Sequence, residues 1–264
     1  VELERCWGVA EDGAAVEVAL RPALVEELER RWPPIGLERR FEPHEPLEAR
    51  FGLSDEWLIV PDVEPSSDSP PPVAWDLLES ELALFAVKRL IRLVPVHSAV
   101  IVWNGSVLMV PATSGAGKST LALAAAGAGA TVLSDEYALI DPATGQVTGW
   151  PRPVRRRLDD GTVERVDVAV PSPPLPVGLV AAVTHDPSAG DAPVWRALTP
   201  AEAAVELLNH TICSRSRPDD ALDAVLKVGR SAPAVGGARG DARAAIGELL
   251  RLLDDSADRP APAR

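Results

Sequence analysis

Hydrophobic positions along the chain follow two periods, and the change from one to the other marks the elements. Alternating stretches at Val16-Glu-Val-Ala-Leu20 and Glu56-Trp-Leu-Ile-Val60 predict short strands on either side of an amphipathic segment from Pro22 to Arg31, together a small α+β unit. Pro61 to Pro72, with Ser66-Ser-Asp-Ser-Pro-Pro-Pro72, is too polar and too rich in proline to pack, so it reads as a linker. A helical period then runs from about Trp75 to Leu93, where Leu77, Leu78, Leu82, Leu84, Phe85 and Leu90 supply an apolar stripe.

Two strands follow, about Val96 to Trp103 and Val107 to Val110, joined by Asn104-Gly105, a strong two-residue hairpin signal. A helix ends near Gly127 and Gly129 and leads to the strand Thr131-Val-Leu133, after which Pro142-Ala-Thr-Gly145 makes a turn. Short strands are expected between Val147 and Val183, and helices at about Pro200 to Leu208, Ala221 to Leu226 and Ala242 to Leu250. The resulting division is an N-terminal α+β unit and linker over 1–72, a main α/β domain over 73–254, and a disordered tail over 255–264 rich in Pro, Ala and charge.

Charge narrows the partners. Across 264 residues, 26 Lys and Arg against 39 Asp and Glu give a net charge of −13, which repels nucleic acid and anionic membrane surfaces. Cys6 and Cys213 are far apart and share no metal-ligand spacing, so they read as unpaired thiols of a reducing compartment. No apolar run approaches the roughly 20 residues that cross a bilayer, and Val1-Glu-Leu-Glu-Arg lacks a basic segment followed by an apolar one. A cytoplasmic protein is the expectation.

Candidate chemistry centres on Val107-Leu-Met-Val-Pro-Ala-Thr-Ser-Gly-Ala-Gly-Lys-Ser-Thr-Leu-Ala-Leu123, an apolar strand, a glycine loop, Lys-Ser-Thr and a helix. Ser114, Gly115, Ala116, Gly117, Lys118, Ser119 and Thr120 read as a phosphate-binding loop for ATP. The glycines let backbone N–H groups turn around a phosphate, the helix N-terminus adds partial positive charge, Lys118 reaches the β- and γ-phosphates, and Ser119 sits on Mg²⁺. Ala112 stands where the usual spacing has its first glycine. Asp135 and Glu136 leave the next strand, where Mg²⁺ and a catalytic base belong: Asp135 is the candidate base, and Glu136 joins Ser119 as a metal ligand. His97 lies at the start of the hairpin, and the pattern leaves open whether it reaches the loop. Trp150-Pro-Arg152-Pro-Val-Arg155-Arg-Arg157 is a basic cluster whose arginines either stabilise transferred phosphoryl charge or bind an acidic partner segment. His44, His185 and His210 have no neighbours in sequence that suggest chemistry and are assigned to structure.

Taken together, His97-Ser-Ala-Val, the hairpin, Ser114-Gly-Ala-Gly-Lys-Ser-Thr120 and Leu133-Ser-Asp-Glu136 resemble the catalytic domain of the HPr kinase/phosphorylase family, over about Val94 to Val154. The resemblance implies an α/β P-loop kinase domain of the HPr kinase and phosphoenolpyruvate carboxykinase type. It implies His97 at the active site, Asp135 activating a serine hydroxyl, and a homo-oligomer. Ala112, Glu136 in place of a second aspartate, and the lack of a Glu-x-Arg-Gly-Leu-Gly segment depart from the family's pattern, so the acceptor is expected to be a peptide or small protein other than HPr. Relatives of this type that accompany peptide-modifying enzymes make a precursor-peptide serine the leading acceptor. In this reading His97 and Arg152 steady the developing charge. A small-molecule kinase and a non-catalytic nucleotide-binding regulatory module stand as alternatives.

Overall fold

The computed structural model describes residues 3–43, 45, 47–53, 58–59, 71–157, 163–190 and 193–257. The protein is a mixed α/β chain that divides into two compact units, Val1–Ile91 and Arg92–Arg264.

In the first unit, β1 (Glu4–Ala10) and β2 (Ala15–Leu20) form an antiparallel pair, followed by α1 (Val25–Arg31), β3 (Leu37–Arg40), β4 (Leu47–Leu53), β5 (Leu58–Ile59) and α2 (Pro71–Lys88). The sheet order is β3-β1-β2-β4-β5, with β2 and β4 parallel. Cys6, Val16, Val18, Leu20 and Leu28 are fully buried. The sequence pattern overstates the stripe of α2: Leu78, Leu82 and Phe85 are buried, but Leu77 is 42% exposed and the helix stops at Lys88. The same helix begins at Pro71, inside the expected linker, and belongs to the first unit rather than to a domain starting at residue 73. The rest of the linker, most of the Glu56–Val60 segment and His44 lie outside the described residues.

The second unit opens with the hairpin of β6 (Val94–Trp103) and β7 (Ser106–Pro111). Its turn takes two left-handed residues, Asn104 at φ 48° and Gly105 at φ 81°, the conformation whose twist matches paired strands. There follow α3 (Lys118–Gly127), β8 (Thr131–Ser134), β9 (Tyr137–Ile140), β10 (Val147–Gly149), β11 (Val154–Arg157), β12 (Val163–Val166), β13 (Val177–His185), β14 (Arg196–Leu198), α4 (Pro200–Asn209), α5 (Pro218–Ser231), β15 (Ala234–Arg239) and α6 (Ala242–Ala257). The main sheet runs β10-β9-β6-β7-β13-β15-β14, with β8 also on β6, while β11 and β12 form a separate ribbon.

Successive strand residues face opposite sides, so the sheet carries two cores. Val100, Met109, Val180 and Ala234 meet Leu207 of α4 and Val225 and Val228 of α5. Ile101, Leu108, Leu179 and Ala181 meet Leu121 of α3 and Ile246, Leu249 and Leu253 of α6. The helix α6 extends past the expected start of the tail because Ser256 Oγ lies 2.9 Å from Gly178 O and 2.6 Å from Leu253 O, tying its last turn to β13. Residues 255–257 are therefore helical, and 258–264 lie outside the described residues. Among the described residues no helix is long and apolar enough to cross a membrane.

Strand direction positions the site. The strands β7, β13 and β15 are parallel, while β6 is antiparallel to both β7 and β8. The C-terminal ends of β7, β8, β13 and β15, together with the start of β6, consequently fall at one end of the sheet, where ligands of open α/β sheets bind.

Candidate functional site

The segment after β7 is a loop with two left-handed glycines, Gly115 at φ 82° and Gly117 at φ 86°. Gly117 is the N-cap of α3, which has no side-chain cap and no acidic residue in its first turn. Its first N–H groups are therefore open to an anion, and the helix dipole favours one. Ala112, the departure from the usual first glycine, is buried and carries no positive φ, so a side chain is accepted there without strain. Ser114, Gly115 and Thr120 are exposed, and Ala116, Gly117 and Ser119 are half-buried.

Lys118 is buried and folds back over the loop, its Nζ donating to Ala112 O and Thr113 O at 2.8 Å each. Burial lowers its pKa to about 8, against the opposing pull of Asp135 and Glu136. Ser119 Oγ donates to Asp135 Oδ2 at 2.6 Å. Asp135 is 5% exposed and its other oxygen, Oδ1, is buried with no hydrogen-bond partner.

Asp135 and Glu136 directly follow the end of β8, as the sequence predicts, and β9 begins immediately after them. Both β8 and β9 pair with β6, Ser134 opposite Val100 and Tyr137 opposite His97, so the two acidic residues form the break between two segments of one edge. Ser134 Oγ holds the break by accepting from the N–H groups of Glu136 and Tyr137, both at 3.0 Å. The register is the same on both sides of the break, Ser98 N–H donating to Glu136 O at 3.0 Å, and the register shift on this side of β6 falls between Val100 and Ile101.

Glu136, the expected metal ligand beside Ser119, is engaged by arginines. Its carboxylate pairs with Arg152, Oε2 to Nε at 2.7 Å, and approaches Arg155 Nη2 at 4.0 Å. The basic cluster thus splits: Arg152 and Arg155 converge on Glu136, whereas Arg156 pairs with Glu164 across the exposed β11–β12 ribbon. The side chain of Arg157 lies outside the described residues.

The hairpin is long enough to bring His97 to the loop. Ser98 faces Pro111 in the register, and Ala112 N–H donates to His97 O at 3.3 Å. On its other side His97 N–H donates to His210 O at 2.8 Å. Burial, then the charges of Lys118, His210 and Arg152, lower the His97 pKa to about 4, so its imidazole is neutral at pH 7. The ring lies 5.9 Å from that of Tyr137, which meets Trp150 edge-on.

At this end of the sheet lie two further residues, His210, which the sequence reading assigns to structure, and Arg239, which it misses. His210, at the C-terminus of α4, has its pKa lowered by burial and by Lys118, with Glu206 opposing. Arg239 ends β15 and is 3% exposed, and its Nη2 donates to Gly117 O at 3.2 Å. Its only signal in sequence is a cation at the end of the run Ala234-Val-Gly-Gly-Ala-Arg239. A cleft of about 410 Å³ lies over β13, β14 and β15, lined by Thr184, Arg196, Glu206, Gly236, Gly237 and Ala238 among others.

The assembled groups can hold a polyanion against backbone N–H donors and a lysine, and can present one carboxylate oxygen as a proton acceptor. Among the described residues no three His, Cys, Asp or Glu side chains gather as a metal cage. No protein-family model and no curated protein matches this chain.

Proposed function

We propose that the chain is an ATP-dependent kinase of HPr kinase-like type that transfers the γ-phosphoryl group to a hydroxyl, the serine of a peptide or small protein such as a biosynthetic precursor. One observation carries the reading: the open N-terminus of α3, Lys118 and the Ser119–Asp135 pair meet at the C-terminal end of the sheet. A non-catalytic nucleotide sensor needs the first two of these and has no use for a buried carboxylate with an unpartnered oxygen beside them.

The donor set at Ser119 and Asp135, one hydroxyl and one carboxylate, suits Mg²⁺, which keeps most of its waters and takes few protein ligands. Bound there, Mg²⁺ supplies charge neutralisation for the phosphate oxygens. Glu136, held by Arg152, is a less suitable ligand than Asp135.

The residues of the chain do the positioning. Loop N–H groups receive the phosphate chain, and Lys118 exchanges the carbonyls of Ala112 and Thr113 for phosphate oxygens. Asp135 Oδ1 accepts the proton of the attacking hydroxyl as its oxygen bonds to the γ-phosphorus. The bond from that phosphorus to the bridging oxygen breaks, and ADP departs. His97 acts as a neutral N–H donor rather than as a cation. Arg152, bound to Glu136, shapes the wall of the site and adds its charge at short range.

The test is incubation with ATP, Mg²⁺ and peptides encoded beside the gene, followed by mass spectrometry for phosphoserine. A phosphorylated peptide from the wild type and none from Asp135→Asn is the expected result. ATP binding with no transfer to any peptide or small hydroxyl compound would favour the sensor.

A further inference from the structure

Arg239 is buried without the counter-charge such a group requires. Its Nη1 donates to Gly240 O at 3.0 Å and its Nη2 to Gly117 O at 3.2 Å, while its buried Nε has no hydrogen-bond partner. Among the described residues it makes no ion pair. Asp241 is the acid that acts on it, but Asp241 Oδ1 already accepts from Ala244 N–H at 2.8 Å, capping α6. A guanidinium held by neutral carbonyls alone is poorly compensated for its lost water.

Its position says where the missing charge belongs. Gly117 is the last residue of the loop and the N-cap of α3, so the arginine and the open N–H groups of that helix share one residue. A Cβ at Gly117 would collide with Arg239 Nη2, so glycine is needed there for the arginine's approach as well as for its φ of 86°. Lys118 Nζ sits at the other side, on the loop's entrance at Ala112 and Thr113. Two cations thus bracket the loop from entrance and exit. That spacing suits a chain of two or more phosphates better than a single one, and a planar guanidinium is the better donor where oxygens present in pairs.

We infer that Arg239 is a second cationic ligand of the site, completing the binding of an oligophosphate chain together with Lys118. The inference rests on the nucleotide reading above and adds to it the residue that recognises the phosphate chain from β15.

Calorimetry with ATP and with pyrophosphate tests it on the full chain, comparing wild type with Arg239→Met and Arg239→Lys. Arg239→Met is expected to lose at least tenfold in affinity for both ligands and to bind with weaker salt dependence, and Arg239→Lys to recover part of the loss. The melting temperature without ligand should change little, while the rise produced by saturating ATP shrinks. Unchanged affinity and salt dependence in a folded Arg239→Met would make the arginine a structural tie to Gly117 and overturn the proposal. Wild type that binds neither ATP nor pyrophosphate would remove the nucleotide reading and this proposal together, which distinguishes that failure from the first. Should the variants not fold, the ¹⁵Nε resonance of the buried arginine in the wild type decides: pyrophosphate is expected to shift it, and an unmoved signal at saturation overturns the assignment.

Discussion

Ser119 Oγ donates a 2.6 Å hydrogen bond to Asp135 Oδ2, joining the first turn of α3 to the break between β8 and β9 across 16 residues of chain. This contact fixes one carboxylate oxygen of Asp135 and leaves the other without a partner, so a single residue has one atom committed to the loop and one available for proton transfer.

Asp135→Asn keeps the shape of the side chain and removes its charge. The variant should fold and retain ATP affinity in the absence of Mg²⁺, lose most of the gain that Mg²⁺ gives the wild type, and turn over more slowly by about 10²-fold or more. Calorimetry with and without Mg²⁺, beside a turnover assay, separates the two effects. Turnover equal to wild type would remove Asp135 from the mechanism.

Lys118 gives a pH signature. Its pKa is about 8 in the free protein, below its ordinary value because the group is buried, so a rising share of molecules lacks the charge above pH 8. A bound phosphate chain favours the charged form. Binding therefore takes up a proton above pH 8, and affinity should fall by up to about tenfold per pH unit until the pKa of the complex is passed. Lys118→Ala should bind ATP far more weakly and lose this dependence. An affinity flat from pH 7 to 10 in the wild type would contradict the assignment.

The parts of this site that were legible in the sequence are those set by local chemistry. Asn104-Gly105 specifies its own turn, and Gly115, Gly117 and Lys118 announce a loop that opens a helix. The departures come from pairings that no local pattern carries. Ser134-Asp-Glu reads correctly as the end of a strand, but nothing nearby reveals that Tyr137 resumes pairing with β6. Glu136 looks like a partner for Ser119 until the chain returns with Arg152. Arg239 lies 122 residues from the glycine whose carbonyl it binds, and His210 meets His97 through a backbone bond that has no sequence signal. The extent of α6 likewise depends on Ser256 reaching Gly178, 78 residues away.

The Glu136–Arg152 pair is the strongest candidate for a structural element of the site. Its two side chains are 12% and 8% exposed, so removing either charge disturbs a buried pair, a change that typically costs about 3–5 kcal/mol. Arg152→Ala should lower stability by an amount of that order and lower turnover, while Glu136→Gln with Arg152→Ala together should cost less than the sum of the single changes. A double-mutant cycle by urea denaturation measures the coupling. Additive losses would show that the two charges act independently.

His97 links the site to acid stability, and the sign follows from where the proton binds. The folded pKa is about 4 and the ordinary value 6.5, so between those limits the unfolded chain takes up a proton that the folded chain excludes. Stability contributed by the neutral imidazole is fully present above pH 6.5, declines as pH falls toward 4, and is lost below it, with a total of about 3 kcal/mol for a shift of this size. His210 is displaced in the same direction, and the carboxylates titrate nearby, so the wild-type curve alone does not isolate the residue. The difference between wild type and His97→Gln does. That difference should be constant above pH 7, shift in favour of the variant as pH drops from 6.5 to 4, and level off below. Denaturation midpoints at pH 7.5, 5.5 and 4.5 are sufficient to follow it. A difference independent of pH across this range would mean that His97 accepts its proton in the folded chain, and its role as a neutral donor beside Lys118 would have to be given up.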